Sequence, residues 1–159
     1  MTIYHGSNQI IQSPQLLETQ RALDFGRGFY TTSDFEQAKR RAQRTIHIRK
    51  SGEASVSCYE LDEDATTGLK ILRFKQADSD RLDYIAANRE NRNVKDEWDL
   101  VIGPVANDQT FPTILLYLDG CIDAQSAVRQ LLPQKLRGQH TFKTEKALAL
   151  LKLSEARNV

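Results

Sequence analysis

Asp24-Phe25-Gly26-Arg27-Gly28-Phe29-Tyr30-Thr31-Thr32 is the stretch around which the rest of the chain is read. Two glycines one residue apart admit positive φ and let a ligand come close to the backbone, and the aromatic pair after them begins an extended segment. Ser33-Asp34-Phe35-Glu36 then has the form of a capping box, in which the Ser33 hydroxyl accepts from the Glu36 amide and the Glu36 carboxylate reaches back to the Ser33 amide. The spacing predicts a helix over 33–44. Gly-x-Gly before an aromatic strand also occurs in ordinary turns, so its weight depends on its surroundings.

Outward toward the N-terminus, Thr2-Ile3-Tyr4-His5-Gly6-Ser7 alternates as a short strand ending at a glycine, with His5 at its tip. A histidine there can donate and accept hydrogen bonds at once, which suits a ribose hydroxyl; the plainer reading is a satisfied surface histidine. Residues 8–23 include Ser13-Pro14 and read as an irregular connection with one helical turn at most. In the other direction, Phe35, Ala38 and Ala42 fall at helical spacing, with Lys39, Arg40, Arg41 and Arg44 on the other faces. The basic run continues through His47, Arg49 and Lys50, with no acidic residue between Glu36 and Glu53. Such a run suits a phosphate-bearing ligand, a nucleic acid or an acidic protein, and is also the ordinary look of a solvated helix face.

Further along, Ser55–Leu61 alternates as a half-buried strand, Asp62 to Gly68 is turn-rich, and Leu69–Phe74 is a second strand candidate. Leu82, Ile85 and Ala86 share one side of a helix over 78–89 capped by Asp78 or Ser79. Trp98–Ile102 reads as a strand stopped by Gly103-Pro104, and Val105-Ala106-Asn107-Asp108 beyond it is either a plain turn or part of a site. Phe111–Leu118 suits a buried helix or strand, and Asp123 caps a helix through Leu132. Gln139–Lys143 alternates as a brief strand, after which Thr144 caps a last helix that packs through Ala147, Leu148, Leu150, Leu151 and Leu153.

With 159 residues, 40% of them hydrophobic and 27% charged, the chain reads as a single α+β domain, 1–159, large enough to bury one core. A formal net charge of +1 gives no overall pull toward nucleic acid or membrane, so electrostatic arguments must be local. Cys58 and Cys121 lack metal-ligand spacing, which argues against a structural zinc and fits two core residues in a reducing compartment. No metal is expected. Nothing resembles a signal segment or a membrane span, so the expected location is the cytoplasm.

Tyr4-His5-Gly6-Ser7 followed by Phe25-Gly26-Arg27-Gly28-Phe29-Tyr30 and a helix containing Ala38 resembles the first two signatures of the ADP-ribosyltransferase superfamily, in the arrangement of the poly-ADP-ribose polymerases. The resemblance is closer to a small bacterial family of uncharacterised domains within that superfamily, through Phe25 to Thr32, Asp99 to Asp108, and Gln139 with Thr144-Glu145-Lys146-Ala147-Leu148. It implies a split antiparallel β core flanked by helices, a cleft that binds NAD as substrate, and transfer of ADP-ribose with loss of nicotinamide. Carried over by position, His5, Tyr30 and Gln139 are the catalytic set. Tyr4, Gly6, Ser7, Phe25, Gly26, Arg27, Gly28, Phe29, Thr31 and Asn107 form the NAD-binding set. His5 is expected to hydrogen-bond the adenosine ribose, the Gly6 backbone to hold the nicotinamide amide, Ser7 to line the cleft and Tyr30 to border the nicotinamide pocket.

Such enzymes cleave a glycosidic bond through an oxocarbenium-like state, helped by a glutamate that holds the nicotinamide-ribose hydroxyl and stabilises positive charge. Here Gln139 begins the corresponding strand, able to hydrogen-bond but without the charge. That makes poly-ADP-ribose elongation improbable. Glu145 is a conceivable substitute whose position also fits helix capping. A second departure is Arg40-Arg41 where relatives tend to carry an aromatic residue, which leaves the second nicotinamide wall missing or to Phe29 or Phe35. Three functions are compatible with these residues: a mono-ADP-ribosyltransferase acting as the toxin of a bacterial toxin–antitoxin pair, with an unidentified macromolecular acceptor and a small antitoxin protein as partners; an NAD- or ADP-ribose-binding module without turnover; and a nucleic-acid binder using residues 39–50.

Overall fold

The computed structural model describes residues 1–17, 23–76, 78–90, 97–104, 111–131 and 138–159. In chain order they form β1 (Thr2–Ser7), β2 (Phe29–Thr32), α1 (Phe35–Arg49), β3 (Ser55–Leu61), a 3-10 turn (Asp64–Gly68), β4 (Ile71–Arg73), α2 (Ser79–Arg89), β5 (Leu100–Pro104), α3 (Phe111–Leu118), α4 (Ala124–Leu131), β6 (Gly138–Phe142), α5 (Glu145–Leu148) and β7 (Leu151–Asn158). The strands join in one seven-stranded sheet ordered β4-β5-β6-β2-β1-β3-β7. The α+β expectation holds. Antiparallel pairing runs from β5 to β7, but β4 and β5 are parallel, with Ile71 opposite Leu100, so the sheet is mixed. The connection between those two passes through α2, the kind of crossover that parallel neighbours require.

Strand alternation sorts the core onto two faces. On one, Ile3, Phe29, Tyr59, Leu100, Phe142, Leu148 and Leu151 pack together, with Ile11, Leu16 and Leu69 closing over them. On the other, Val101 packs with Phe25, Leu82, Ile85, Ile114, Ala127 and Leu131, which brings α2, α3 and α4 against the sheet. Beside that cluster, α1 lays Ala38 and Ala42 on Val56 and Cys58. Its closest approach is at Gly6, where an added Cβ would lie 1.9 Å from the Ala38 carbonyl oxygen and 2.9 Å from the Ala42 nitrogen. Alanines on the helix and glycine on β1 are what allow two backbones to approach that closely.

Several sequence expectations need correction. Strand β1 continues to Ser7, so His5 lies inside it and not at its tip. Helix α1 runs on to Arg49, closed by Lys50 in the left-handed region at φ 52. Its N-cap is Asp34, whose Oδ1 accepts from the Gln37 amide at 2.9 Å. Ser33 is drawn off toward the Gly138 carbonyl, to which its amide donates at 3.0 Å. The ambiguous 111–118 segment is helical. The last helix is only Glu145–Leu148, capped as expected by Thr144; Leu151 and Leu153 belong to β7, which pairs with β3. Cys58 is buried as expected, whereas Cys121 is exposed. Among the described residues no helix is long and apolar enough to cross a membrane.

Candidate functional site

The site is built on the parting of β1 and β2. One residue pair between them is in register, Tyr4 with Thr32. Past it, toward Phe29, the carbonyl of Tyr30 accepts a hydrogen bond from His5 Nδ1 at 2.7 Å, so an imidazole stands between the strands. A carbonyl can only accept, which places the proton on Nδ1 and leaves Nε2 with a free lone pair. The ring lies on Phe29, with centroids 4.3 Å apart and planes 24° from parallel, and Phe29 in turn meets Tyr59 edge-on at 5.9 Å. Burial pushes the His5 pKa down from 6.5 to about 4, against the Tyr30 hydrogen bond and with help from the positive charges of Arg41 and Arg49. The ring is neutral near pH 7 and offers an acceptor.

The glycine loop is held from inside. Gly26 has φ 78, a conformation that side chains rarely adopt, and a Cβ on Gly28 would meet the Phe142 carbonyl oxygen at 2.7 Å. The Tyr30 hydroxyl donates to the Gly26 carbonyl at 2.5 Å and accepts from the Phe25 amide at 3.1 Å, closing the turn. Desolvation raises its pKa further, so it stays a phenol. Around this, Arg89 donates to Asp24 Oδ1 at 2.6 Å through Nε and rests its guanidinium on the Phe111 ring, 5.0 Å from the centroid. Lys143 Nζ donates to the Phe25 carbonyl at 2.5 Å. Arg81, wholly buried, donates through Nη2 to the Pro104 carbonyl at 2.7 Å.

Gln139 enters from β6, opposite Thr32 on one side and Gly103 on the other. Its amide nitrogen donates to Thr141 Oγ1 at 3.4 Å. Tyr4, Thr32 and Gln139 thus form one transverse row across β1, β2 and β6, with the Gly6 contact to α1 on the same face. His5 and Phe29 occupy the opposite face, together with His140 on β6 by the alternation of strand residues. The structure therefore joins His5, Phe29 and Tyr30 directly and sets Gln139 two strands away.

The remaining predicted residues take varied places. Tyr4 turns toward α1 and meets Phe35 edge-on at 5.5 Å. Ser7 is buried, its hydroxyl donating to Asn8 Oδ1 at 3.4 Å. Phe25 is fully buried among the α2 to α4 packing residues, while Arg27 stands exposed on the loop. Thr31 is buried and donates to the His140 carbonyl at 3.1 Å. Asn107 lies outside the described residues, as do Val105, Ala106 and Asp108. Sequence reading missed Asp24, Arg89 and Lys143 as loop supports, because their partners are 65 and 118 residues away in the chain. It also missed His140, whose buried Nδ1 has no hydrogen-bond partner among the described residues and whose pKa burial and Arg73 lower to about 4.

Two shallow depressions of about 330 Å³ lie elsewhere, one between the start of α1 and β7 and one between α2 and the turn after α3; neither touches His5, Gly28 or Gln139. Among the described residues no group of three His, Cys, Asp or Glu side chains is placed to hold a metal. Residues 1–153 match a family described as a protein of unknown function, DUF3990, and the chain belongs to that family. No curated protein and no solved structure is similar enough to the chain to match.

Proposed function

We propose that this DUF3990 member is a NAD-dependent mono-ADP-ribosyltransferase with an ADP-ribosyltransferase-type fold, and that it acts as the toxin of a toxin–antitoxin pair. The observation that carries the reading is the opening between β1 and β2, in which a neutral His5 is fixed by the Tyr30 carbonyl with Nε2 left to accept from a ribose hydroxyl. Glycines at 6, 26 and 28 keep the surrounding backbone close enough to neighbours that no side chain intrudes. In the proposed reaction the bond between ribose and nicotinamide breaks with its electron pair leaving on nicotinamide, and an acceptor nucleophile forms the new bond and gives up a proton. His5 holds a ribose. Tyr30 maintains the loop. The resemblance gives Gln139 the second ribose, but its nitrogen bonds Thr141 and it stands in the Tyr4–Thr32 row, on the face of the sheet opposite His5.

The uncharged Gln139 favours a second reading, a module that binds NAD or ADP-ribose without turning it over, since an amide contributes less than a carboxylate to developing positive charge. Incubation with NAD labelled on the adenylate, in the presence of cell extract, separates the two. The transferase reading expects labelled macromolecules and free nicotinamide, both abolished in His5→Ala and faster in Gln139→Glu. Thermal stabilisation by NAD without nicotinamide release would leave the binding module. Neither release nor stabilisation would sink both. Growth inhibition on expression, lost in His5→Ala, tests the toxin assignment.

A further inference from the structure

We infer that the outer face of α1 is a docking surface for the phosphodiester backbone of a nucleic acid. The chain concentrates its positive charge there. Residues 39–50 hold six of the 22 Lys and Arg and none of the 21 Asp and Glu, so this run carries +6 while the other residues, 16 basic against 21 acidic, carry −5. The fold turns the run outward. Ala38 and Ala42 are the buried residues of α1, seated over Gly6 and packed on Val56 and Cys58. With about 3.6 residues per turn, the opposite side of the helix carries Arg40, Arg44 and His47, with Arg41 on one flank, and all four are exposed. Arg40 and Arg44 stand about 6 Å apart along the helix axis. This surface lies on the side of the sheet opposite the His5 ring, so it stands whether or not the cleft reading holds.

The helix does not need this charge for itself. Lys39, Arg40, Arg41 and His47 make no side-chain hydrogen bond or ion pair among the described residues. The macrodipole favours cations in the last turn, which accounts for His47 and for Arg49, whose Nη1 donates to Asn8 Oδ1 at 3.1 Å. Lys39, Arg40, Arg41 and Arg44 lie upstream of that turn. Like charges one turn apart, Arg40 with Arg44 and Arg41 with Arg44, weaken a helix. The occupant follows from what else the face lacks. A protein partner needs an apolar centre to its interface, and Ile48 is the one large apolar side chain that α1 exposes. A membrane surface needs the apolar side of an amphipathic helix, and on α1 that side is packed against the sheet. A phosphodiester backbone needs only a row of cations, and forked guanidinium donors suit its oxygens.

Fluorescence anisotropy with labelled single-stranded RNA, single-stranded DNA and duplex DNA, over about 50–200 mM salt, tests this and separates the possible sources of the backbone. The full chain is expected to bind at least one probe, with the logarithm of the binding constant falling linearly against that of the salt concentration. Arg40→Gln/Arg44→Gln is expected to weaken binding about tenfold or more and to flatten the salt slope on single strands by about 1.4, roughly 0.7 for each phosphate contact removed. Lys75→Gln/Lys152→Gln removes the same charge from exposed sites elsewhere and is expected to leave affinity and slope near the wild type. His5→Ala is expected to bind as the wild type does. Circular dichroism of each variant establishes that α1 is retained. Equal losses in the two double variants would reduce the effect to net charge and overturn the surface. Loss in His5→Ala would place the polymer in the cleft and overturn it as well. Anionic phosphatidylserine vesicles bound more tightly than every oligonucleotide would replace it with a membrane surface, and no binding of any probe at the lowest salt would leave α1 a solvated helix.

Discussion

His5 donates Nδ1–H to the Tyr30 carbonyl, and burial together with two nearby arginines pushes its pKa down to about 4, so an uncharged ring with a bare Nε2 is present at neutral pH. Binding through that lone pair is expected to be flat from about pH 6 to 8 and to weaken only as the imidazole protonates at lower pH. ADP-ribose affinity measured across that range checks this; a midpoint near the ordinary histidine value would assign recognition to the imidazolium instead. Tyr30 is a different kind of residue, since its hydroxyl closes the glycine turn through Phe25 and Gly26. Tyr30→Phe leaves that amide and carbonyl without their partner and is expected to lower stability by about 1–3 kcal/mol, read from urea denaturation. An unchanged denaturation midpoint would mean that the hydroxyl does not hold the loop. The residue types of this region are legible in the chain: glycines where the backbone bends or is crowded, aromatics where the strand begins. Which aromatic faces which way is not, because sidedness follows from the register of β2 against β6, set by residues more than a hundred positions on.

Helix α1 depends on its tight seat over Gly6. A methyl group at that position meets the Ala38 carbonyl oxygen at 1.9 Å, backbone against backbone, with no flexible side chain able to yield. Gly6→Ala is therefore expected to cost at least about 3 kcal/mol, at or beyond the usual range for overpacking, while Gly68→Ala, with nothing within 4 Å, costs no steric strain. Equal denaturation midpoints for the two would contradict the seat. The N-terminus of α1 gives a second contrast: Asp34→Ala removes a cap worth about 1 kcal/mol, and Ser33→Ala is expected to stay within about 0.5 kcal/mol. The sequence pattern assigns the cap to Ser33, and it falls to Asp34 because Gly138 draws Ser33 toward β6. The C-terminal strand was illegible for a related reason. Leu148, Leu150, Leu151 and Leu153 satisfy a helical period as well as a strand period over so short a run, and only the pairing partner, β3, distinguishes them.

Across the whole sheet, the local pattern indicated most strands but not their order, since the β4-β5-β6-β2-β1-β3-β7 arrangement places chain ends and chain middle side by side. The parallel β4–β5 edge follows from α2 lying between those strands in the sequence, a clue that was present and outweighed by the expected antiparallel core. His5 and His140 sit on the same face of neighbouring parts of the sheet, each with its pKa lowered to about 4, by burial first, then for His5 by Arg41 and Arg49 and for His140 by Arg73. Between about pH 4 and 6.5 the unfolded chain binds protons at both positions that the folded chain does not, so unfolding free energy rises with pH through that window and levels above it. The effect is of the order of a few kcal/mol for the pair, discounted because His5 is only partly buried. Asp99, held below its ordinary value by the Lys70 amide at 2.9 Å and the Thr144 hydroxyl at 2.7 Å, loses its contribution only below about pH 4, so the two windows are distinct. Urea denaturation of the wild type between pH 4.5 and 7.5, roughly spanning the histidine window, is expected to give a rising stability. The same series on His5→Gln/His140→Gln is expected to start from a lower stability but to rise much less over that interval. Parallel pH slopes for the two proteins would show that these imidazoles are not held neutral by the fold, and with that the acceptor role of His5 in the strand opening would fall.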